Sequence, residues 1–230
     1  MTQSSALSKL AGKLGYSFTD ASLLEQALTH RSLGASNNER MEFLGDSILN
    51  FVIAEALYHQ FPSQKEGDLS RLRAHLVNGE TLADIARELD LGSYLRLGAG
   101  ELKSGGFRRA SILADVVESI LGAVYCDSGI EECSRIIHRL FEKKLKDIPD
   151  SQSLKDAKTR LQELLQSRKI SIPIYKVLTV SGKSHDQTFV IECIIDSMKI
   201  TSQGEGHSRR KAEQCAADVA IKMVKQQLGL

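Results

Sequence analysis

The feature that most constrains this chain is an apolar stretch with acidic residues in its interior. Residues 38–58 predict one long helix that is apolar on nearly every side and therefore buried on most of its surface. Glu42 and Asp46 are four residues apart and Glu39 lies three residues before Glu42, so the three carboxylates project from one helical face. Because carboxylates stacked in this way repel one another and lose hydration on burial, the pattern predicts a positively charged partner beside them.

A second apolar stretch, residues 111–125, repeats the pattern. Its only charged residues are Asp115 and Glu118, which are three apart and therefore on one helical face. Hard divalent cations such as Mg²⁺ or Mn²⁺ take all-oxygen ligands, whereas zinc or copper would call for histidine or cysteine at ligand spacing. The two helices together predict a metal site made of four acids, Glu42, Asp46, Asp115 and Glu118.

Purely structural explanations of these acids stay open at this point. Glu39 could complete a capping box, Ser36-x-x-Glu39, that opens the first helix. The four inward acids could instead form buried ion pairs with arginine, and the candidates are Arg40, Arg71 and Arg73. A buried ion pair without a function is a poor source of stability, which favours the metal site.

The charge of the chain is divided unevenly. The whole sequence of 230 residues has a formal net charge of +1. Residues 1–153 contain 17 Lys and Arg against 21 Asp and Glu, a net charge of −4, whereas residues 154–230 contain 13 against 8, a net charge of +5. An acidic half suits a bound metal and a basic half suits a polyanion, so the two halves predict two domains with different tasks.

The first half predicts an all-α domain over residues 4–128, since helix follows helix with no run of alternating apolar residues. A helix over residues 129–146 closes it, and residues 147–154 are polar and contain a proline, as in an interdomain linker. The glycine-rich stretch 97–109 lacks the Gly-Lys-Ser/Thr ending of a nucleotide-binding loop. We expect its basic residues to contact substrate phosphates instead, namely Lys103, Arg108 and Arg109.

The second half, residues 155–226, predicts a small α+β domain with the order α-β-β-β-α. Its strands are predicted at residues 174–180, 188–195 and 198–202. Ser208 can cap the closing helix, where Arg209, Arg210 and Lys211 add full charges to the positive end of the helix dipole. That combination is suited to phosphate oxygens.

Two motifs resemble a known family. Residues 38–47, Asn-Glu-Arg-Met-Glu-Phe-Leu-Gly-Asp-Ser, resemble the signature of bacterial ribonuclease III, and Ala114-Asp115-x-x-Glu118 resembles the second acidic segment of that family. The stretch from Gly204 through Ala217 resembles the most characteristic part of double-stranded-RNA-binding domains, so the likeness covers almost the whole chain. The resemblance implies an all-α endonuclease domain followed by a double-stranded-RNA-binding domain.

The resemblance also implies an activity and its residues. The activity is metal-dependent hydrolysis of double-stranded RNA that leaves 5′-phosphate and 3′-hydroxyl ends with two-nucleotide 3′ overhangs. Asp46 and Glu118 take direct catalytic roles, Glu39 and Glu66 are possible accessory acids, and Mg²⁺ is the cofactor, with Mn²⁺ able to substitute. Processing of ribosomal RNA precursors, and of messenger and transfer RNA, is the implied task.

In the second domain the resemblance implies contacts to an A-form duplex, whose shape such domains read over about 16 base pairs. Gln162 and Glu163 would touch one minor groove and His185 the next, with the basic residues 209–211 on the phosphates between them. His185 could also be only a solvated turn residue. Because cutting both strands needs two sites, we expect a homodimer, which the family forms along the helix of the signature.

A non-catalytic regulator that binds double-stranded RNA is the alternative, and loss of the inward acids would distinguish it. None of the four is missing here. The four cysteines have no C-x-x-C pairing, no stretch reaches about 18 consecutive apolar residues, and the amino terminus lacks a signal-peptide core. We therefore expect a cytoplasmic protein with reduced thiols and no membrane association.

Overall fold

The structure is a computed structural model that describes residues 3–151, 154–183 and 186–230, with side chains from residue 7 onward. Its contacts divide the chain into two compact units, Met1–Leu154 and Lys155–Leu230, each with its own hydrophobic core. The first unit is helical and the second contains a sheet, so the predicted fold class is confirmed. Among the described residues, none of the helices combines the length and the apolar character that a membrane crossing requires.

The first unit is built around two helices that cross at close range. Its helices are α1 (Gln3–Leu14), α2 (Ala21–Ala27), α3 (Glu39–Gln60), α4 (Glu66–Leu76), α5 (Gly79–Glu88), α6 (Ala99–Lys103) and α7 (Ala110–Lys146). Helix α3 buries Leu49 and Val52, and α7 buries Val116 and Ile120, in the same core. These two helices are the apolar stretches that carry the predicted metal ligands.

Glycines at the crossing allow the two backbones to touch. A Cβ atom placed on Gly45 of α3 would lie 1.8 Å from the carbonyl oxygen of Glu118, and one on Gly122 of α7 would lie 2.2 Å from the carbonyl oxygen of Met41. Any side chain at either position would therefore force the helices apart. Glu42 and Asp46 lie within one turn of Gly45, and Glu118 and Asp115 lie about one and two turns before Gly122, so the close crossing brings the acids of α3 and α7 together.

Helix α7 bends where the sequence predicts one helix to end and the next to begin. Gly129 has φ 80° and ψ −170°, a backbone conformation open essentially only to glycine. The turn is tied to the amino-terminal region by Asp127, whose carboxylate accepts hydrogen bonds from the backbone N–H groups of Thr19 (2.8 Å) and Asp20 (3.0 Å). The segment after the bend packs back on the core through Cys133, Ile137 and other residues of that face.

The second unit has the predicted order α-β-β-β-α. Its elements are α8 (Ala157–Ser167), β1 (Ile174–Lys183), β2 (Asp186–Ile195), β3 (Ile200–Gly206) and α9 (Arg209–Leu228), with an antiparallel sheet in the order β1-β2-β3. Gly204 lets β3 approach α9, because a Cβ atom there would lie 2.1 Å from the backbone nitrogen of Ala216. The core beneath the helices includes Leu161, Leu165 and Cys193.

Some predicted boundaries are wrong. The third strand begins at Ile200 and not at residue 198, because Asp196–Met198 forms a turn of 3₁₀ helix. The first strand continues past residue 180 to Lys183, since its polar end still pairs with β2 across the hairpin. Glu66 was expected in a loop, but it is the first residue of α4. Residues 152 and 153 of the predicted linker lie outside the described residues.

Candidate active site

Helix α3 begins without the predicted capping box. Asn38 precedes the first residue of the helix, and its side chain makes no capping hydrogen bond. The backbone N–H of Glu39 donates to Oδ1 of Asn37 at 3.1 Å, and the Glu39 carboxylate forms an ion pair with Arg31 at 3.3 Å. The capping-box interpretation of Glu39 is therefore wrong, and its side chain is available on the surface next to the acids.

Three of the four predicted ligands converge between α3 and α7. Carboxylate oxygens of Glu42, Asp115 and Glu118 all lie within 4.8 Å of one another. Among the ion pairs of the described residues none involves these three acids; Arg71 instead pairs with Asp68 at 2.5 Å. The structural alternative of buried ion pairs is thus not formed in the described part of the chain.

The fourth predicted ligand, Asp46, lies at the edge of this group. Its side chain is exposed, and its Oδ1 accepts a hydrogen bond from Nδ2 of Asn50 at 2.8 Å. Asp46 is not one of the three converging carboxylates, yet its charge is the strongest of those acting on Glu118. Asp46 therefore lies beside the cluster, where a bound ion with its water shell could reach it.

Burial and mutual repulsion make this cluster hard to ionise. Burial, followed by the charges of Asp46, Glu42 and Asp115, raises the pKa of Glu118 to about 8. Burial, and then the charge of Asp115, also raises the pKa of Glu42. Burial raises the pKa of Asp115, although the charges of His30 and Arg31 oppose it. Because the buried carboxylates repel one another when ionised, a bound cation would stabilise their charged forms. Their all-oxygen donor set fits a hard divalent ion.

A polar cavity of about 390 Å³ adjoins the cluster. Glu42 and Asp115 form part of its wall, together with Arg109, whose guanidinium pairs with Glu101 at 2.8 Å. Of the other basic residues expected to meet phosphates, Arg108 lies over the ring of Phe107 at 4.8 Å and Lys103 is exposed at the end of α6. Only one of the three predicted phosphate contacts, Arg109, therefore lies in the wall of this cavity.

Glu66, the second accessory acid, lies outside the acidic cluster. Its carboxylate accepts a hydrogen bond from Ser70 Oγ at 2.7 Å, and the residue lines a separate, mostly apolar cavity of about 690 Å³. Phe51 and Tyr58 of α3 line the same cavity. The structure thus does not bring Glu66 into the acidic cluster of its own chain.

The predicted RNA contacts of the second unit lie on exposed positions of α8 and α9. Gln162 and Glu163 are exposed, and Glu163 pairs with Lys155 at 2.7 Å. Ser208 caps α9 as expected, because its Oγ accepts a hydrogen bond from the backbone N–H of Lys211 at 3.2 Å. His185 lies outside the described residues.

The three basic residues of the first turn of α9 differ in their surroundings. Arg209 pairs with Glu213 at 3.0 Å, and the same carboxylate accepts a hydrogen bond from Lys158 at 2.6 Å. Arg210 and Lys211 are exposed. Sequence reasoning overlooked Glu213 as the acid that fixes α8 to α9.

Sequence reasoning also missed the loop that forms the far wall of the polar cavity. His30 and Arg31 line it, although the sequence indicates only a connection between two helices there. The signal in the sequence was a basic segment immediately before the acidic helix. The charge of this segment is opposite to that of the helix.

Comparisons with known proteins agree with this arrangement. Residues 20–145 match the family model described as ribonuclease-III-like, and residues 157–224 match the model of the double-stranded RNA binding motif. Curated proteins named Ribonuclease 3 are similar over nearly the full length. The one from Marinomonas sp. (strain MWYL1) is 58% identical over 95% of this chain and 96% of its own. The one from Shewanella amazonensis is 56% identical over 96% and 97%.

Solved structures resemble the first unit. A crystal structure of the nuclease domain of ribonuclease III from Campylobacter jejuni, at 2.2 Å resolution, matches 62% of this chain and 97% of its own with 45% identity and a TM-score of 0.59. A second structure from the same organism matches 59% and 95% with 47% identity and a TM-score of 0.58, and it is described as showing flexibility in a region involved in dimer formation. The similarity therefore extends to the helices that carry the acidic cluster.

Proposed function

The chain belongs to the ribonuclease III family of endoribonucleases that act on double-stranded RNA, and we propose that it cuts with Mg²⁺ held by Glu42, Asp46, Asp115 and Glu118. The observation that carries this proposal is the convergence of Glu42, Asp115 and Glu118 within 4.8 Å, with none of the three in an ion pair among the described residues. Mn²⁺ satisfies the same oxygen ligands and should substitute for Mg²⁺.

The roles of the acids are proposed from the match of their motifs to the family. Glu42, Asp46, Asp115 and Glu118 would hold the metal, whose chemistry would be to activate a water molecule and to stabilise the charge on the leaving 3′ oxygen. We assign direct catalytic roles to Asp46 and Glu118, and positioning of the metal to Glu42 and Asp115, which are held on opposite helices. Glu39, one turn from Glu42, is an accessory acid on this assignment. The products would carry 5′-phosphate and 3′-hydroxyl ends with two-nucleotide 3′ overhangs.

The RNA duplex would be held by both units. In the first, we assign phosphate contacts to the basic residues around α6, which are Lys103, Arg108 and Arg109. In the second, the exposed first turn of α9 offers charge to phosphates, and α8 offers polar side chains to a minor groove. The assigned residues are Gln162, Glu163, His185, Ser208, Arg209, Arg210 and Lys211.

We propose that two copies of the chain form a homodimer through α3, since two cuts need two sites. Phe43 is 78% exposed on this helix, and Phe51 and Tyr58 are exposed on it as well. Exposure of apolar side chains to water costs free energy, and burial against a second copy would remove that cost. The Campylobacter jejuni protein has a region described as involved in dimer formation. Glu66 lies at the same apolar cavity as Phe51, so its accessory role would be exerted across the dimer.

We divide the chain into an endonuclease domain over residues 4–128, a closing helix over 129–146, a linker over 147–154 and an RNA-binding domain over 155–226. The compact units and the two matched ranges support this division. All four cysteines are free thiols, which fits our further proposal of a cytoplasmic enzyme. Its task would be the processing of ribosomal RNA precursors, and of messenger and transfer RNA.

The test is cleavage of a long RNA duplex by the full chain. With Mg²⁺ we expect staggered cuts, and with a chelator we expect binding without cleavage. Glu118→Gln should bind the duplex normally and fail to cut it, whereas Glu131→Gln, an exposed acid further along α7, should cut like the wild type. Undiminished cleavage by Glu118→Gln would remove the site assignment and would leave the alternative of a binding regulator with a separate contaminating nuclease.

A further inference from the structure

The polar cavity beside the acidic cluster is lined by basic as well as acidic side chains. Its wall contains the acids Glu39, Glu42, Glu101 and Asp115 and the basic residues His30, Arg31 and Arg109. At about 390 Å³ it is far larger than a metal ion, so part of its volume is left for a larger group. Basic side chains around a cavity that adjoins a phosphodiester-cutting site are suited to a second phosphate of the same strand.

Asn38 in this wall has a buried amide that the described part of the chain leaves without a hydrogen-bond partner. The residue is only 2% exposed, and among the described residues its Nδ2 has no hydrogen-bond partner. The backbone of Asn38 is fully used, since its N–H donates to Thr29 and its carbonyl accepts from Glu42, both at 2.9 Å. A buried amide donor without an acceptor costs free energy, and such a donor in the wall of a binding cavity is usually satisfied by a ligand or by water.

The arginines of the cavity are held in a way that lets a phosphate replace their partners. Arg31 and Glu39 form a long ion pair of 3.3 Å with side chains 70% and 51% exposed, and such pairs are weak in water. Arg109 is held more tightly by Glu101, at 2.8 Å. A phosphate entering the cavity could therefore take Arg31 from Glu39 at little cost while Arg109 stays in place.

We propose that Nδ2 of Asn38 donates a hydrogen bond to a non-bridging oxygen of a backbone phosphate that neighbours the scissile one, with Arg31 and Arg109 supplying the charge. Asn38 is thus a substrate-positioning residue, outside the set of metal ligands. An amide NH₂ group can only donate, so its partner must be an acceptor, and a phosphate oxygen is the acceptor that the surrounding cations favour. This inference rests on the proposed function, because it takes the acidic cluster as the place of cutting.

The variant Asn38→Leu removes the donor while it keeps nearly the same shape. Since Nδ2 has no partner among the described residues and its burial costs free energy, thermal stability should be at or above the wild-type level, and Mn²⁺ binding without RNA should be unchanged. The matched control is Asn78→Leu, because Asn78 Oδ1 accepts from Thr81 N–H at 2.9 Å and caps α5. That control should lower thermal stability and leave the substrate preferences unchanged.

The measurement is single-turnover cleavage of a short duplex with one cut site, in which sulfur replaces one non-bridging oxygen at a time on either side of the cut. Asn38→Leu should slow cleavage by about 10- to 100-fold, the value of one hydrogen bond to a charged group. At one phosphate beside the cut, sulfur should slow the wild type and have no further effect on Asn38→Leu. Removal of the 2′-hydroxyl groups of the same nucleotides should slow both proteins equally.

Three results would overturn the inference. The first is cleavage by Asn38→Leu within twofold of the wild type, and the second is a sulfur effect that is the same in both proteins at every phosphate. The third is a loss of Mn²⁺ binding in Asn38→Leu that accounts for the slower cleavage. In each case, Mg²⁺-dependent cutting and its loss in Glu118→Gln would be unaffected, so the proposed function would stand without this contact.

Discussion

Replacement of Gly45 by alanine should impair the active site although it changes none of the proposed catalytic or metal-binding side chains. A methyl group at this position would lie 1.8 Å from the carbonyl oxygen of Glu118 and 2.9 Å from the backbone nitrogen of Gly122. Both neighbours belong to the backbone of α7, which cannot rotate away as a side chain can. The helices must therefore separate by about 1.5 Å to restore ordinary contact distances.

The size of the effect follows from that separation. Overpacking of this kind costs about 1–3 kcal/mol, and the better helix propensity of alanine returns about 0.5–1 kcal/mol, so we expect a net loss of up to about 2.5 kcal/mol. The carboxylates of Glu42 and Asp115, now within 4.8 Å, would be drawn apart by a large fraction of that distance. Misplacement of reacting groups by about 1 Å can cost 100-fold in rate, so we expect at least that loss of cleavage.

The assay compares Gly45→Ala with Gly12→Ala in the same protein. A Cβ atom at Gly12, in α1, meets nothing within 4 Å, so that control should be as stable as the wild type or slightly more so and should cut normally. Urea unfolding gives the stability, and single-turnover cleavage at saturating RNA gives the rate. Wild-type stability together with a wild-type rate in Gly45→Ala would refute the argument that the close helix crossing positions the acids.

Three further predictions concern charge. The pKa of Glu118 is about 8 in the folded protein and near 4.5 in the unfolded chain. Glu118 therefore destabilises the metal-free folded protein increasingly as the pH rises from 4.5 to 8. Glu118→Gln should raise the melting temperature in chelator at pH 8 and have no effect near pH 4. Burial pushes the pKa of Glu213 up, but hydrogen bonds from Lys158 and Arg209 outweigh it and leave the pKa below its usual value. The ion pairs therefore stabilise the second unit above about pH 4.5, and this stability should be lost as the pH falls further, a dependence that thermal unfolding of Glu213→Gln should lack. A double change of Arg210 and Lys211 to alanine should weaken duplex binding equally for all sequences and reduce the slope of log affinity against log salt by about 1–2, as measured by filter binding; an unchanged slope would contradict their phosphate contacts.

The acidic cluster could be predicted from the sequence because it depends on periodicity within single helices. Apolar residues at helical spacing predict burial, and acids three or four residues apart predict a shared face, so Glu42, Asp115 and Glu118 were identified before any tertiary information. The order α-β-β-β-α was accessible for the same reason. The strand ends were less so, since β1 extends to Lys183 through pairing with β2 and not through its own apolar pattern.

Features that depend on the packing of distant segments could not be predicted. Gly45 and Gly122 look like ordinary helical glycines until the crossing of α3 and α7 gives each a carbonyl oxygen within contact distance. Asn38 likewise is only the first residue of the predicted helix. Its unpaired amide becomes visible only when the preceding loop folds back, with Asn38 N–H bonded to Thr29 and His30 N–H bonded to Arg96.

The most direct test of the account measures Mn²⁺ binding to the full chain in the absence of RNA by electron paramagnetic resonance. The wild type and the exposed control Glu131→Gln should bind Mn²⁺ equally well, and Mg²⁺ should compete for the same site. Glu118→Gln should bind at least tenfold more weakly, since it removes one of the four proposed carboxylate ligands, and one of the three that converge. Equal Mn²⁺ affinity in all three proteins would contradict the claim that the carboxylates of α3 and α7 form the metal site.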